Sequence, residues 1–151
     1  MSPMKRFLIA LIILLIGAAR AEADDIAIIV NSHFPADSIS MEDVRDIYRS
    51  KMQFIAGARV KPVDQRDTQE IRSVFLNEIM RWTKTDYTKY WMHLVFLEGT
   101  VPPVTRDNSQ AVIQTVQESD GSIGYVWAHD AASAGAKGVK TIAVLHRPAG
   151  K

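Results

Sequence analysis

The 151-residue sequence contains no cysteine. This absence excludes a disulfide scaffold, thiol chemistry and a lipid anchor attached to cysteine. The chain also has almost no excess of positive or negative charge, because 18 basic and 17 acidic residues leave a formal net charge of +1. The composition therefore gives no reason to expect nucleic acid or an anionic membrane as a partner. The four histidines form no close pair at metal-ligand spacing, and we expect neither a metal nor a cofactor.

Only one long apolar run is present, and it lies near the start of the chain. Two basic residues precede an unbroken apolar stretch over residues 7–16, and small residues follow it. Two overlapping small-x-small sites then end at Ala21 and Ala23. This order is typical of a signal peptide, whereas an uncleaved membrane anchor needs roughly 20 apolar residues. We expect residues 1–23 to be removed, which leaves residues 24–151 as one periplasmic or secreted domain without a membrane span.

Strands and helices alternate along the predicted domain. Continuous β-prone apolar runs and flanking turn residues predict strands over residues 26–30, 60–63, 123–127 and 139–145. Cap residues followed by helical apolar spacing predict helices that begin at Ser40, Asp67, Thr85 and Asn108. The core face of the third helix is predicted to hold Tyr87, Tyr90, Trp91, Leu94 and Val95. This alternation predicts an α/β three-layer sandwich, with helices on both faces of a mixed or mostly parallel sheet.

Two segments carry a resemblance to a known family. Residues 39–51 resemble the L-x-x-I-F-x-G-K helix of the periplasmic phosphate-binding proteins of ABC transporters. Residues 120–126, DGSIGYV, are similar to the P-G-S-I-G-Y-V strand entry of the same family. The resemblance covers nearly all of the predicted domain and implies one lobe, the second, of the two-lobed type II periplasmic binding fold. It also implies a non-catalytic protein that binds phosphate or a related small oxyanion.

The sequence departs from this family where the two-lobed proteins cradle phosphate. Their helix start carries the small-residue run D-G-S-G-T, because free backbone N–H groups must approach the anion closely. Residues 67–71 of this chain read DTQEI, so that only Asp67 matches. Thr68 could still supply a hydroxyl group. Loss of both glycines leaves two interpretations of this helix start.

The first interpretation is an oxyanion site at two helix starts that face one cleft. Unpaired N–H groups and partial positive charge favour an anion there, and an arginine adds a fork of donors. The candidate ligand-binding residues are Gln65, Arg66, Asp67 and Thr68 at one helix start and Arg106, Asn108 and Ser109 at the other. The second interpretation is an ordinary capping box, in which Asp67 and Glu70 occupy those N–H groups internally.

Two functions follow from these interpretations. A solute-binding protein that consists of one lobe presents an open shelf, where water competes with polar contacts. Binding would then need a partner chain or a homodimer to supply the missing wall. Alternatively, the lobe has lost its ligand and acts as a protein–protein interaction module that docks on an envelope transporter or sensor. An enzyme is not expected, because no pair of side chains is placed by periodicity for acid–base or nucleophilic work.

Overall fold

A central five-stranded sheet organises the residues that the computed structural model describes, which are 25–134 and 138–148. The strands are β1 (Ile26–Asn31), β4 (Lys61–Gln65), β5 (Val104–Arg106), β6 (Ser122–Trp127) and β7 (Val139–Leu145). Their spatial order is β5-β4-β6-β1-β7. Strand β4 is parallel to β5 and β6, whereas β1 is antiparallel to β6 and β7. The sheet is therefore mixed, as predicted.

Helices cover both faces of this sheet. They are α1 (Met41–Tyr48), α2 (Glu70–Val74), which continues into a π-helical turn (Phe75–Met80), α3 (Lys84–Glu98), α4 (Ser109–Glu118) and α5 (Ala128–Ala134). Strand β1 shows why two layers are needed. Its residues Ile26, Ile28 and Val30 belong to the core beneath α1, α2 and α3, whereas Ala27 and Ile29 belong to the core beneath α4. Because successive side chains point to opposite faces, an uninterrupted apolar strand requires helices on each side. The predicted three-layer α/β fold is confirmed.

All four predicted strands and two of the four predicted helix starts, Ser40 and Asn108, are confirmed. The Ser40 hydroxyl accepts from the backbone N–H of Asp43, and the Asn108 side chain accepts from that of Ala111. At Gly124 in β6, an added Cβ would lie 2.5 Å from a methyl group of Val112. The glycine of the DGSIGYV segment thus lets α4 pack directly on the sheet.

Two predictions about local structure, for the start of α3 and for Val95, are wrong, and two elements were not predicted. A hairpin of β2 (Phe54–Ile55) and β3 (Ala58–Arg59) was not expected, because two-residue strands have no readable period. Helix α3 begins at Lys84 and not at Thr85, and its N-cap is Thr83, which forms a capping box with Asp86. Strand β5, which pairs with β4, was also not predicted. Val95 is 45% exposed and does not belong to the core.

The predicted signal peptide and its cleavage sites lie outside the described residues. Within the described ranges, the structure contains no helix with the length and apolar character that crossing a bilayer requires.

Candidate functional site

The two predicted helix starts lie next to each other at one edge of the sheet. Strands β4 and β5 are parallel and in register, with Gln65 opposite Arg106. The backbone N–H of Arg66 donates to the carbonyl of Arg106 at 2.9 Å. Because the carboxyl ends of adjacent parallel strands meet at the same edge, the loops that follow them share a surface. The structure thus brings together the two segments that were predicted to face one cleft.

A polar depression of about 270 Å³ lies at this edge. It is lined by Gln65, Arg66, Asp67, Arg72, Lys84, Thr88 and Thr105. Three of the seven predicted residues therefore contribute to it, and four lining residues were not predicted. Three of the lining side chains are cationic and come from different elements: the end of β4, helix α2 and the start of α3. We refer to this surface as the polar depression.

The other predicted residues have different roles. The Arg106 Nε donates to Thr115 Oγ1 at 2.8 Å, which directs this guanidinium towards α4. Asn108 is occupied as the N-cap of α4. Ser109 Oγ accepts from Gln65 Nε2 at 3.2 Å and so supports the depression from behind. Thr68 is not among the lining residues.

The capping-box interpretation of Asp67 and Glu70 is wrong. Helix α2 begins at Glu70, its N-cap is Gln69, and no side chain caps it. The Asp67 carboxylate instead accepts from Lys84 Nζ at 2.5 Å. This hydrogen bond with the ammonium group holds the pKa of Asp67 below its usual value. The loop of residues 66–69 separates strand from helix, so Asp67 is too far along the chain to cap it.

A buried carboxylate beneath the depression was not predicted. Asp64 is 2% exposed and accepts hydrogen bonds on both oxygens. Its Oδ1 accepts from the Tyr125 hydroxyl and from the Gln65 backbone N–H, and its Oδ2 accepts from the Tyr87 hydroxyl at 3.0 Å. Arg72 Nε also donates to Oδ2, at 3.3 Å. Asp64 directly follows the predicted strand 60–63, and no sequence pattern indicated that its carboxylate would be buried with partners, as charged residues rarely are.

Arg72 connects this buried network to the surface. Its side chain is 12% exposed and its guanidinium carbon lies 4.8 Å from the centre of the Tyr87 ring. Its Nε donates to Asp64, and the guanidinium is also a hydrogen-bond donor to the Tyr87 hydroxyl, which opposes the rise in the pKa of that phenol. Asp64 and Tyr87 therefore orient a guanidinium that retains donors for a further group.

Exposed ion pairs balance the remaining charges of the depression. Arg66 Nη2 lies 2.5 Å from Asp107, with both side chains more than 60% exposed. Lys84 pairs with Asp67 in a similarly exposed setting. Such pairs contribute little net stability because water screens and solvates both charges. Both ion pairs can therefore open at small cost. Within the described ranges, no group of three histidine, aspartate or glutamate side chains is placed to hold a metal ion.

The buried tyrosines give a test of the network. Burial, followed by the charge of Asp64, raises the pKa of Tyr48, Tyr87 and Tyr125 above the usual value of 10.0. Since folding favours the neutral phenols, their contribution to stability is complete below about pH 10 and is lost as the pH rises further. In a spectrophotometric titration, we expect these phenols to ionise only when the protein unfolds. Full ionisation near pH 10 with an unchanged far-UV circular dichroism spectrum would contradict the assigned burial.

Comparisons with known proteins support the fold but not a sequence family. No model of a protein family matches the sequence, and no curated protein sequence matches it. An ABC-type phosphate transport receptor from Vibrio cholerae is similar in structure, with a TM-score of 0.59 and 16% identity over 79% of this chain and 45% of that chain. PstS from Borrelia burgdorferi is similar with a TM-score of 0.61 and 13% identity over 80% and 47% of the two chains.

A third solved structure contains a ligand. It is a protein from Clostridium perfringens with bound phosphate, assigned as a phosphate ABC transporter substrate-binding protein. Its TM-score is 0.54 and its identity 17%, over 83% of this chain and 57% of that chain. The present chain spans about half the length of these proteins. The resemblance predicted from sequence is thus confirmed at the level of fold: the chain is a single-lobe structural relative of the phosphate-transporter substrate-binding proteins.

Proposed function

We propose that this chain is a non-catalytic, periplasmic solute-binding-like protein that holds phosphate or a related small oxyanion in the polar depression. The observation that carries the proposal is the convergence of Arg66, Arg72 and Lys84 on one concave surface at the ends of parallel strands. Crevices at the carboxyl ends of parallel strands are the usual ligand sites of open α/β sheets. The similarity to a protein solved with bound phosphate supports the same ligand class.

The three cations have different roles in this proposal. Arg72 is oriented by Asp64 and Tyr87, so its free donors are already positioned for an oxyanion. Arg66 and Lys84 approach the anion by releasing their exposed carboxylates. Asp67 then competes with the ligand for Lys84. Bidentate guanidinium contacts favour phosphate, sulfate and carboxylate groups, because each of these groups has two neighbouring acceptor oxygens.

The depression is open, and a second wall would increase its affinity. A surface site leaves its hydrogen bonds in competition with water, whereas a covered site does not. The chain spans about half the length of its structural relatives. We propose that a second copy of this chain or an envelope protein, such as a transporter or sensor, supplies the cover.

A thermal unfolding scan of the purified protein tests the proposal. Phosphate, sulfate, molybdate and small carboxylates are added in turn, and ligand at 100 times its Kd adds about 2.7 kcal/mol to the free energy of unfolding. For a domain of this size, we expect a rise in Tm of several degrees. Arg66→Ala should remove this rise while leaving the ligand-free Tm nearly unchanged, because Arg66 is exposed. Asp67→Asn should increase the rise, because the competing charge is lost.

Lys51→Ala is the matched control, since it removes one exposed cation that does not line the depression. It should retain the full ligand-induced rise. The scan is made at a low protein concentration, where the protein is monomeric, and at a high one, where it can self-associate. If no anion changes the Tm at either concentration, the binding proposal is wrong.

A second candidate function is a protein–protein interaction module without a ligand. Large apolar side chains on the second half of α3 favour it, since Met92, Phe96 and Leu97 are 67%, 90% and 64% exposed. Absence of any anion effect, together with a stable complex with an envelope protein, would support this alternative.

A further inference from the structure

An apolar groove continues from the polar depression along α3. Its volume is about 740 Å³, and Arg72 and Thr88 line both the groove and the depression. The groove is shallow and open to solvent along much of its length. Trp91, Met92 and Phe96 contribute to its walls, and none of its lining residues is acidic. Along one continuous surface, the molecule therefore changes from cationic and polar to apolar.

The exposure of this groove is unusual for a monomeric surface. Helix α3 buries Tyr87 and Trp91 against the core, yet Met92, Phe96 and Leu97 on its other side remain more than 60% exposed. A helix that is apolar around most of its circumference normally has both sides covered. Contiguous exposed apolar surface of this kind marks a site of interaction.

A cationic donor at one end of the groove indicates what the occupant carries. Arg72 lines both the groove and the depression, so its guanidinium lies where the two surfaces meet. A guanidinium has only donors, so the occupant needs acceptor oxygens next to its apolar atoms.

We propose that the groove and the depression together bind an amphiphilic anion, in which a phosphate or carboxylate head is joined to a single apolar chain. The head pairs with Arg72, and the chain lies along Met92 and Phe96. This inference rests on the proposed function, because it places the head in the same depression. Charge complementarity supports it: the groove ends on a cation and contains no carboxylate among its lining residues.

Binding of a series of monoalkyl phosphates tests the inference. Inorganic phosphate, butyl phosphate, hexyl phosphate and octyl phosphate are compared below their micellar concentrations by calorimetry. Full burial of a methylene increases affinity about fourfold, and a groove open on one side should give about twofold. Butyl phosphate to octyl phosphate should therefore gain on the order of tenfold. The matching alkyl carboxylates establish which head is preferred, and either head with a chain-length effect supports the inference.

The double variant Met92→Ser, Phe96→Ser isolates the chain contribution. Both side chains are well exposed, so the fold should tolerate their loss. The variant should bind inorganic phosphate as the parent does and lose the chain-length effect. Phe54→Ser is the matched control, because Phe54 is 58% exposed on β2 and does not line the groove. It should retain the effect.

Four outcomes would overturn the inference. Phosphate binding without a chain-length effect rejects it and leaves the proposed function intact, whereas no binding of any anion rejects both. A chain-length effect that persists in the double variant places the chain elsewhere. If alkyl phosphates give no gain and the double variant converts a dimer into a monomer in sedimentation, the groove is an interface between copies.

Discussion

Replacement of Asp64 by alanine should destabilise the protein by about 3–5 kcal/mol, because it leaves Arg72 without its buried counter-charge. The side chains of Asp64 and Arg72 are 3% and 12% exposed, so water replaces the lost carboxylate poorly. Two tyrosine hydroxyls, of Tyr87 and Tyr125, lose their acceptor at the same time. The Tm should fall by about 10 °C or more. Denaturant unfolding gives the corresponding change in free energy.

The comparison for this variant is Asp37→Ala. Asp37 also forms an ion pair with a cation, Lys140 Nζ at 2.6 Å, but its own side chain is 94% exposed. Water solvates the Asp37 carboxylate, and Lys140 Nζ keeps the Phe34 carbonyl as an acceptor at 2.7 Å, so the change in stability should be small. Equal losses in the two variants would show that burial does not determine the contribution of Asp64. Loss of anion binding by a still-folded Asp64→Asn protein would further assign Asp64 the role of orienting Arg72.

Gly121→Ala should cost about 3 kcal/mol, the sum of backbone strain and steric overlap. Gly121 has φ of +80°, and an added Cβ would lie 2.3 Å from the backbone carbonyl oxygen of Arg59. The opposing atom belongs to the main chain of β3 and cannot move aside as a side chain could. The Gly121 carbonyl also accepts from Lys61 N–H at 2.8 Å, which leads into β4. Displacement here would disturb the start of the strand that carries Asp64.

Gly57→Ala separates the two contributions. Gly57 has the same φ of +80°, but nothing lies within 4 Å of an added Cβ. The Gly57→Ala variant should lose only the free energy of unfolding that a non-glycine residue costs in the left-handed conformation, roughly 1–2 kcal/mol. Chemical denaturation of both variants measures the difference. A Gly121 variant no less stable than the Gly57 variant would mean that the contact with Arg59 relaxes freely.

Prediction from sequence succeeded where local signals are strong. The run 26–30 has no polar residue, and such a strand can only lie inside a sheet covered on both faces. Ser40 and Asn108 are caps whose partners are three residues away, so their geometry is independent of the rest of the fold. Asp67 shows the same cap pattern in the sequence, but a loop follows β4 and the helix begins only at Glu70. A cap signal fails when the preceding loop is longer than the pattern assumes.

The candidate site was only partly predictable for a related reason. Gln65 and Arg66 were found because they follow a predicted strand, and Arg106 because it precedes a helix. Arg72 and Lys84 enter the depression from α2 and α3, and no sequence spacing relates them to β4. Asp64 depends on Tyr125, which is 61 residues further along the chain.

The sequence by itself determined the alternation of strands and helices, the covered sheet and the resemblance to one lobe of a binding protein. These features depend on periodicity and capping, which act over a few neighbouring residues. The tertiary structure alone decided which cations meet, that Asp64 orients Arg72, and that an apolar groove adjoins the depression. Charges and surfaces from distant segments come together only when the strands pair and the helices pack, so local pattern contains no information about their distances.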